Sequence, residues 1–302
     1  MKVSQRLLIT ALQAGLAWPV APALAQSTLV LHNSFISKHK NRVTIVSTTF
    51  SVDHVKPTIN AASKDGDLHI AGRLDDLGLP LVIEITNARS AMPAVERARN
   101  KEGTKVPIQG VWRLWFEHAT GKQTQGSAVP KPANSNPAHV FEVHPVTEFD
   151  GIDVRHTFAG IPGFTPKKAD AAFAQYEKKT LSYKASKSAT TIAVTAVGYN
   201  YVDFKIRLKN NPTKRVDGYT VLAEVFDLDG DPVTTSPRRM VFAAGTPPAV
   251  RIATAETGEE FRVLGIPRIN LDLLSKNVKQ NPIPKKPIPL PYEMIIMALE
   301  ED

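Results

Sequence analysis

The residue pattern predicts a mainly β chain: an OB-like five-stranded barrel with one short helix, then a second antiparallel β domain introduced by a helix. Three observations carry this. Short runs rich in Val, Ile, Thr and aromatic residues recur, separated by Gly, Asp, Asn and Pro turn signals. Apolar residues at helical spacing stand out mainly near 91–100 and 166–179. Proline is frequent, 23 of 302 residues, which favours strands, turns and linkers over long helices. With 42% hydrophobic residues the chain can bury a core, and its length suits two domains.

In chain order, residues 1–25 read as a secretory signal peptide. Lys2 and Arg6 precede the apolar run Leu7 to Val20, and Ala23-Leu24-Ala25 is a small-x-small cleavage site. The expected location is therefore periplasmic or secreted, with the processed chain starting at Gln26. No later apolar stretch is long enough for a membrane span. Cysteine is absent, which excludes disulfides and thiolate metal sites. Without Lys2 and Arg6 the chain keeps 35 basic against 29 acidic residues. That moderate excess suits an anionic ligand or envelope partner as readily as ordinary solubility.

The first domain spans 26–150. Residues 42–52 are rich in β-branched residues and form its first strand. Asp65-Gly66 is a turn signal. Asp67 to Arg73 and Leu79 to Thr86 are the next strands. Ala91 to Asn100, with Pro93 near its start, suits a helix. Val106 to His118 is the fourth strand, and Ala119 to Ala138 is a polar loop. His139 to Thr147 is the fifth strand. Three strands, a helix and two strands is the order of an OB barrel.

Three segments also carry a resemblance: Asp65-Gly66-Asp67-Leu68-His69, Ile83-Glu84-Ile85, and Phe141-Glu142-Val143-His144-Pro145-Val146. Together they resemble a group of uncharacterised bacterial exported proteins. In that group an OB-like domain ends in an aromatic-Glu-aliphatic-His-Pro-Val strand. The resemblance covers roughly 30–150 and implies the fold, with no activity attached.

Residues 151–165 read as a linker with Gly151, Gly160, Pro162 and Gly163. Thr165 can cap a helix with Pro166 at its first position and Ala169, Ala172, Phe173 and Tyr176 on one face. Through residue 280 the chain reads as strands with turn signals at regular spacing, a small antiparallel sandwich or sheet. Residues 281–302 read as a Pro-rich tail with a short terminal helix. No internal repeat is visible.

Side chains on a strand alternate between faces, so Glu142 shares a face with His144, and Asp67 with His69. With Glu84 and His118 they make a candidate polar cluster on four strands. Imidazole and carboxylate suit zinc, manganese or iron. His69, His144 and Glu142 are the expected ligands if a divalent metal binds, and such a metal could activate water for hydrolysis. The cluster could equally be a hydrogen-bonded network satisfying buried groups, or a solvated face. Arg113 and Trp115 could form a ligand-stacking surface, or pack between barrel and second domain. Asp227 to Asp231 resembles a calcium loop, but its Gly is misplaced and no Glu follows at the twelfth position, so a hairpin turn fits better. No Gly-x-Ser-x-Gly elbow or Gly-rich phosphate loop occurs. The expected function is ligand or partner binding in the envelope, with a metal-dependent hydrolase of the phosphodiesterase or nuclease type as the alternative.

Overall fold

The sheet registers close two barrels. The structure, a computed structural model, describes residues 26–300 apart from Asp76. The expected signal peptide lies outside the described residues.

The first barrel has strands β1 (Thr44–Val55), β2 (Leu68–Leu74), β3 (Leu81–Ile85), β4 (Lys105–Leu114) and β5 (Phe141–Phe149). β1 pairs with β2 and β4, β2 with β3, and β4 with β5, all antiparallel. The parallel pair β3–β5 closes the ring. The helix Met92–Asn100 bridges β3 and β4 and buries Ala94, Val95 and Ala98. This is the OB order expected from the sequence.

The second half forms a second barrel of the same order. Its strands are β6 (Val202–Leu208), β7 (Gly218–Phe226), β8 (Arg238–Ala243), β9 (Glu260–Ile269) and β10 (Tyr292–Glu300). The β8–β10 pair is parallel, and the helix Pro247–Ile252 lies between β8 and β9. The second domain is thus a closed barrel rather than an open sandwich. The helix expected at the tail is instead the fifth strand, β10. All residues from Tyr292 to Ala298 are buried, because one face lines the barrel and the other meets the first barrel. A strand buried on both faces shows no alternation.

A third sheet ties the barrels together. Gln26–His32, expected within the first domain, lies between Ala189–Thr195 and Lys122–Thr124. Thr180–Ala185 and the tail segment Ile288–Pro289 extend this sheet. The linker helix starts at Ala169 rather than Pro166, because Lys167 and Lys168 pair with Val202 and Asp203.

The two barrels share a short motif, which corrects the expectation of no repeat. Gly110-Val111-Trp112-Arg113 on β4 corresponds to Gly265-Ile266-Pro267-Arg268 on β9. Phe141-Glu142 opens β5 as Tyr292-Glu293 opens β10. The register places Arg113 opposite Glu142 and Arg268 opposite Glu293. At each glycine the ladder shifts. A Cβ on Gly110 would lie 2.4 Å from Val143 Cγ1 and 2.6 Å from the Pro145 carbonyl oxygen. On Gly265 it would lie 2.9 Å from the Phe204 ring. Glycine permits that close approach at an irregularity in a strand.

The two arginines cross the barrel–barrel junction reciprocally. Arg113 Nε donates to the Pro267 carbonyl at 2.9 Å. Arg268 donates to the Trp112 and Val43 carbonyls, both at 3.0 Å, and its guanidinium lies 3.7 Å from the Trp112 ring centroid. Around them Val43, Val111, Val241, Ile266, Ile295 and Met297 form an apolar cluster. Burying each such side chain contributes about 1.5–3 kcal/mol of transfer free energy.

Candidate functional site

The strand pattern brings the acid and histidine set to one outer patch of the first barrel. Asp67 immediately precedes β2, His69 is on β2, Glu84 on β3, and Glu142 and His144 on β5. Exposure is 0% for Asp67 and His144, 1% for Glu142 and 4% for Glu84. These groups lie outside the barrel yet dry, because the chain entering β6 covers them.

Tyr201, just before β6, makes the cover. Its hydroxyl donates to Asp67 Oδ2 at 2.6 Å. Its single proton is then committed, so its oxygen accepts from His144 Nε2 at 2.9 Å. His144 Nδ1 faces Glu84 Oε2 at 3.4 Å and Glu142 Oε2 at 3.5 Å. Glu142 is anchored by Arg113 and by His139 Nε2, the latter at 3.0 Å. His139 Nδ1 also faces an acceptor, the Pro137 carbonyl, at 2.7 Å. Both of its nitrogens must donate, so this ring is an imidazolium.

Charge follows from these contacts. Burial opposes charge on His144, but Glu84, Asp67 and Glu142 outweigh it and push the imidazole up to about 10. Burial pushes the Asp67 carboxyl up to about 7, although His144 opposes this. The His144 direction governs the pair, since three carboxylates approach it while Asp67 meets one imidazole. Burial also raises Glu84, reinforced by Glu142. Glu142 is held well below the carboxylate range because Arg113, His139 and His144 overcome its burial. His69 is lowered by burial, so its ring is neutral near pH 7.

Above the buried set lies a cleft of about 510 Å³. Its floor includes His69 and Glu84, with Nε2 of the first 3.6 Å from Oε2 of the second. The β1–β2 loop contributes Ser63, Lys64 and Asp65, and the segment after β4 contributes Glu117 and His118. Phe164, Lys167, Tyr199, Asn200 and Tyr201 form the opposite wall. The cleft thus occupies the face of the second and third strands between the β1–β2 and β4–β5 loops, where OB barrels take their ligands.

The expected residues divide between these layers. Asp67, Glu142 and His144 are buried, His69 and Glu84 reach the cleft, and exposed His118 sits on its rim, its ring 5.2 Å from that of His139. In the metal set expected from sequence, Glu142 is committed to Arg113 and His139; Asp67 instead joins Glu84 and His144, with one ligand atom from each within 4.8 Å of the others. Arg113 and Trp115 are not a stacking surface. Both are 1% exposed, and Trp115 packs edge-on against Tyr176 of the linker helix at 5.5 Å. Asp227 is a turn: its Oδ1 accepts from the backbone amides of Asp229 and Asp231. Sequence reasoning missed Tyr201 and His139. The Tyr199-Asn200-Tyr201 cluster between two strands was the available signal for the first.

No protein-family model and no curated protein matches this chain. Among solved structures, it is similar to a single-stranded DNA-binding protein from Thermus aquaticus over 86% of this chain and 91% of that chain. The identity is 9% and the TM-score 0.21. So low a score carries no argument; the fold assignment rests on strand order. Among the described residues, no helix is long and apolar enough to cross a membrane.

Proposed function

We propose that this chain is an exported envelope protein whose first barrel binds a small polar ligand in the cleft, by way of an anionic group. One observation carries the reading. The cleft sits on the ligand face of an OB barrel, and the linker together with the segment entering β6 supplies its opposite wall. A volume of about 510 Å³ suits a small molecule, whereas a strand of nucleic acid needs an open groove. Lys64 and Lys167 are exposed on the walls, and Lys167 lies 5.5 Å from the Tyr199 ring centroid. Tyr199 and Phe164 offer ring faces beside that charge.

The test is a titration of the processed chain with a mononucleotide, a sugar phosphate, a hexuronic acid and a single-stranded oligonucleotide, read by calorimetry. At least one of the three small anions is expected to bind, with affinity falling about tenfold or more in Lys167→Ala. Failure of all three, or binding indifferent to Lys167→Ala and His118→Ala, refutes the reading. Preference for the oligonucleotide does so too.

Metal-dependent hydrolysis is the second reading, favoured by the convergence of Asp67, Glu84 and His144. Turnover of an activated phosphodiester that requires Zn²⁺ or Mn²⁺ and is lost in Glu84→Gln would establish it. No turnover with either ion would remove it.

A further inference from the structure

His144 Nδ1 is a buried polar atom that the network leaves unpartnered. This nitrogen belongs to a side chain with 0% exposure and has no hydrogen-bond partner. It faces two carboxylate oxygens, at 3.4 and 3.5 Å. A bare lone pair there would be repelled, so the site calls for a proton or a cation. Asp67 Oδ1, equally buried, also has no partner.

The duplicated barrel shows that the fold does not demand this chemistry. Pairing Ile83 with Val143 and Met240 with Met294 sets the correspondence, once the two aromatic-Glu pairs are superposed. Glu84 then corresponds to Val241 and His144 to Ile295, both buried apolar residues at the junction. The second barrel closes with hydrocarbon at the positions where the first carries an acid and an imidazole. Such a replacement of buried charges by hydrocarbon is often neutral or stabilising, so stability alone does not account for the polar set.

We propose that Asp67, Glu84 and His144 bind a divalent cation, zinc or manganese, beneath the cleft floor, and that this cation anchors the anionic group of the cleft's ligand. The second half of this statement rests on the function proposed above; the first half does not.

Three strands or strand edges supply the donors, with one ligand atom from each residue within 4.8 Å of the others. The donors are oxygen and imidazole, the set that suits these ions in a chain without thiols. Tyr201 holds Asp67 Oδ2 and His144 Nε2 from behind, fixing both side chains. Glu84 lines the cleft and gives the ion its access route. His69, 3.6 Å from Glu84 Oε2, is the next nitrogen donor on that side. Three protein ligands leave a fourth coordination position, which a ligand oxygen entering past Glu84 would take.

The experiment is calorimetric titration of chelator-stripped processed chain with Zn²⁺ and separately Mn²⁺, followed by metal analysis after gel filtration. One ion per chain is expected. The near-isosteric variants Glu84→Gln and Asp67→Asn should each weaken binding about tenfold or more, and His54→Ala, remote from the set, should not. If His144→Ala fails to fold, these two variants, checked by circular dichroism, carry the test. Substoichiometric metal, or binding indifferent to Glu84→Gln and Asp67→Asn, overturns the cation site. Inorganic phosphate then separates the two claims. Phosphate binding that needs the ion supports the anchoring role. Phosphate binding without any ion sinks the cation anchor and leaves the cleft standing. One bound ion with no response to phosphate or to the small anions keeps the cation site and removes the anchoring role and the cleft reading.

Discussion

Replacing Tyr201 with Phe removes one oxygen atom and nothing else. That oxygen bonds both Asp67 Oδ2 and His144 Nε2, at 2.6 and 2.9 Å, while those two atoms face each other at the longer distance of 3.4 Å. Both partners are fully buried, so water cannot replace it without opening the junction. A hydrogen bond to a charged group contributes about 1.5–3 kcal/mol, and leaving a buried partner unsatisfied costs a similar amount. The two bonds share one hydroxyl and one network, so their losses do not simply add. We expect Tyr201→Phe to destabilise the chain by about 3 kcal/mol. Urea denaturation of the processed chain, followed by circular dichroism, measures it: the midpoint should fall while the slope stays constant. A double-mutant cycle with Asp67→Asn should return a coupling of about 1 kcal/mol or more. A loss below about 1 kcal/mol, or no coupling, would mean that the hydroxyl does not bridge these groups and that the patch is open to solvent.

Other predictions test the frame around the site. Arg268→Ala should cost about 3–5 kcal/mol, because it leaves the buried Glu293 carboxylate without one of its two arginines; chemical denaturation reads this directly. Gly110→Ala should cost about 3 kcal/mol, more than Gly265→Ala, since its Cβ would meet backbone at 2.6 Å against 3.3 Å at Gly265; thermal unfolding of the two variants gives the order. His39 is lowered to about 4 by burial and by the nearby Lys38, Arg268 and Arg42. It stays neutral in the fold while the unfolded ring charges below about 6.5, so stability should fall as pH drops from 6.5 toward 4, by up to about 3 kcal/mol. His39→Phe should flatten that part of the pH–stability curve. Trp112 and Trp115 are at most 1% exposed, so tryptophan emission of the processed chain should be blue-shifted and resist acrylamide quenching.

The first barrel was legible because its strands alternate and its turns carry Gly and Asp. Its order of three strands, a helix and two strands could be read directly. The second barrel was hidden by its last strand. Tyr292 to Glu300 is rich in Met, Ala, Leu and Glu, good helix formers, and both its faces are buried, so neither propensity nor period marked a strand. The repeated Gly-x-x-Arg and aromatic-Glu pairs are too short to stand out before the register is known. At the site, the shared face of Glu142 and His144 was readable from alternation, whereas Tyr201 arrives from another barrel and no local pattern announces it. Trp115 misled in the usual direction: an aromatic sharing a strand face with charged residues, here Arg113 and Glu117, can read as exposed until its cover, Tyr176, is placed.

Hydrogen exchange of the processed chain, with and without the tightest-binding small anion, tests the location of binding most directly. Protection is predicted in residues 63–65, 117–118, 164–167 and 199–201, the four segments that wall the cleft. Protection confined to the second barrel or the third sheet, with those segments unchanged, would contradict the account.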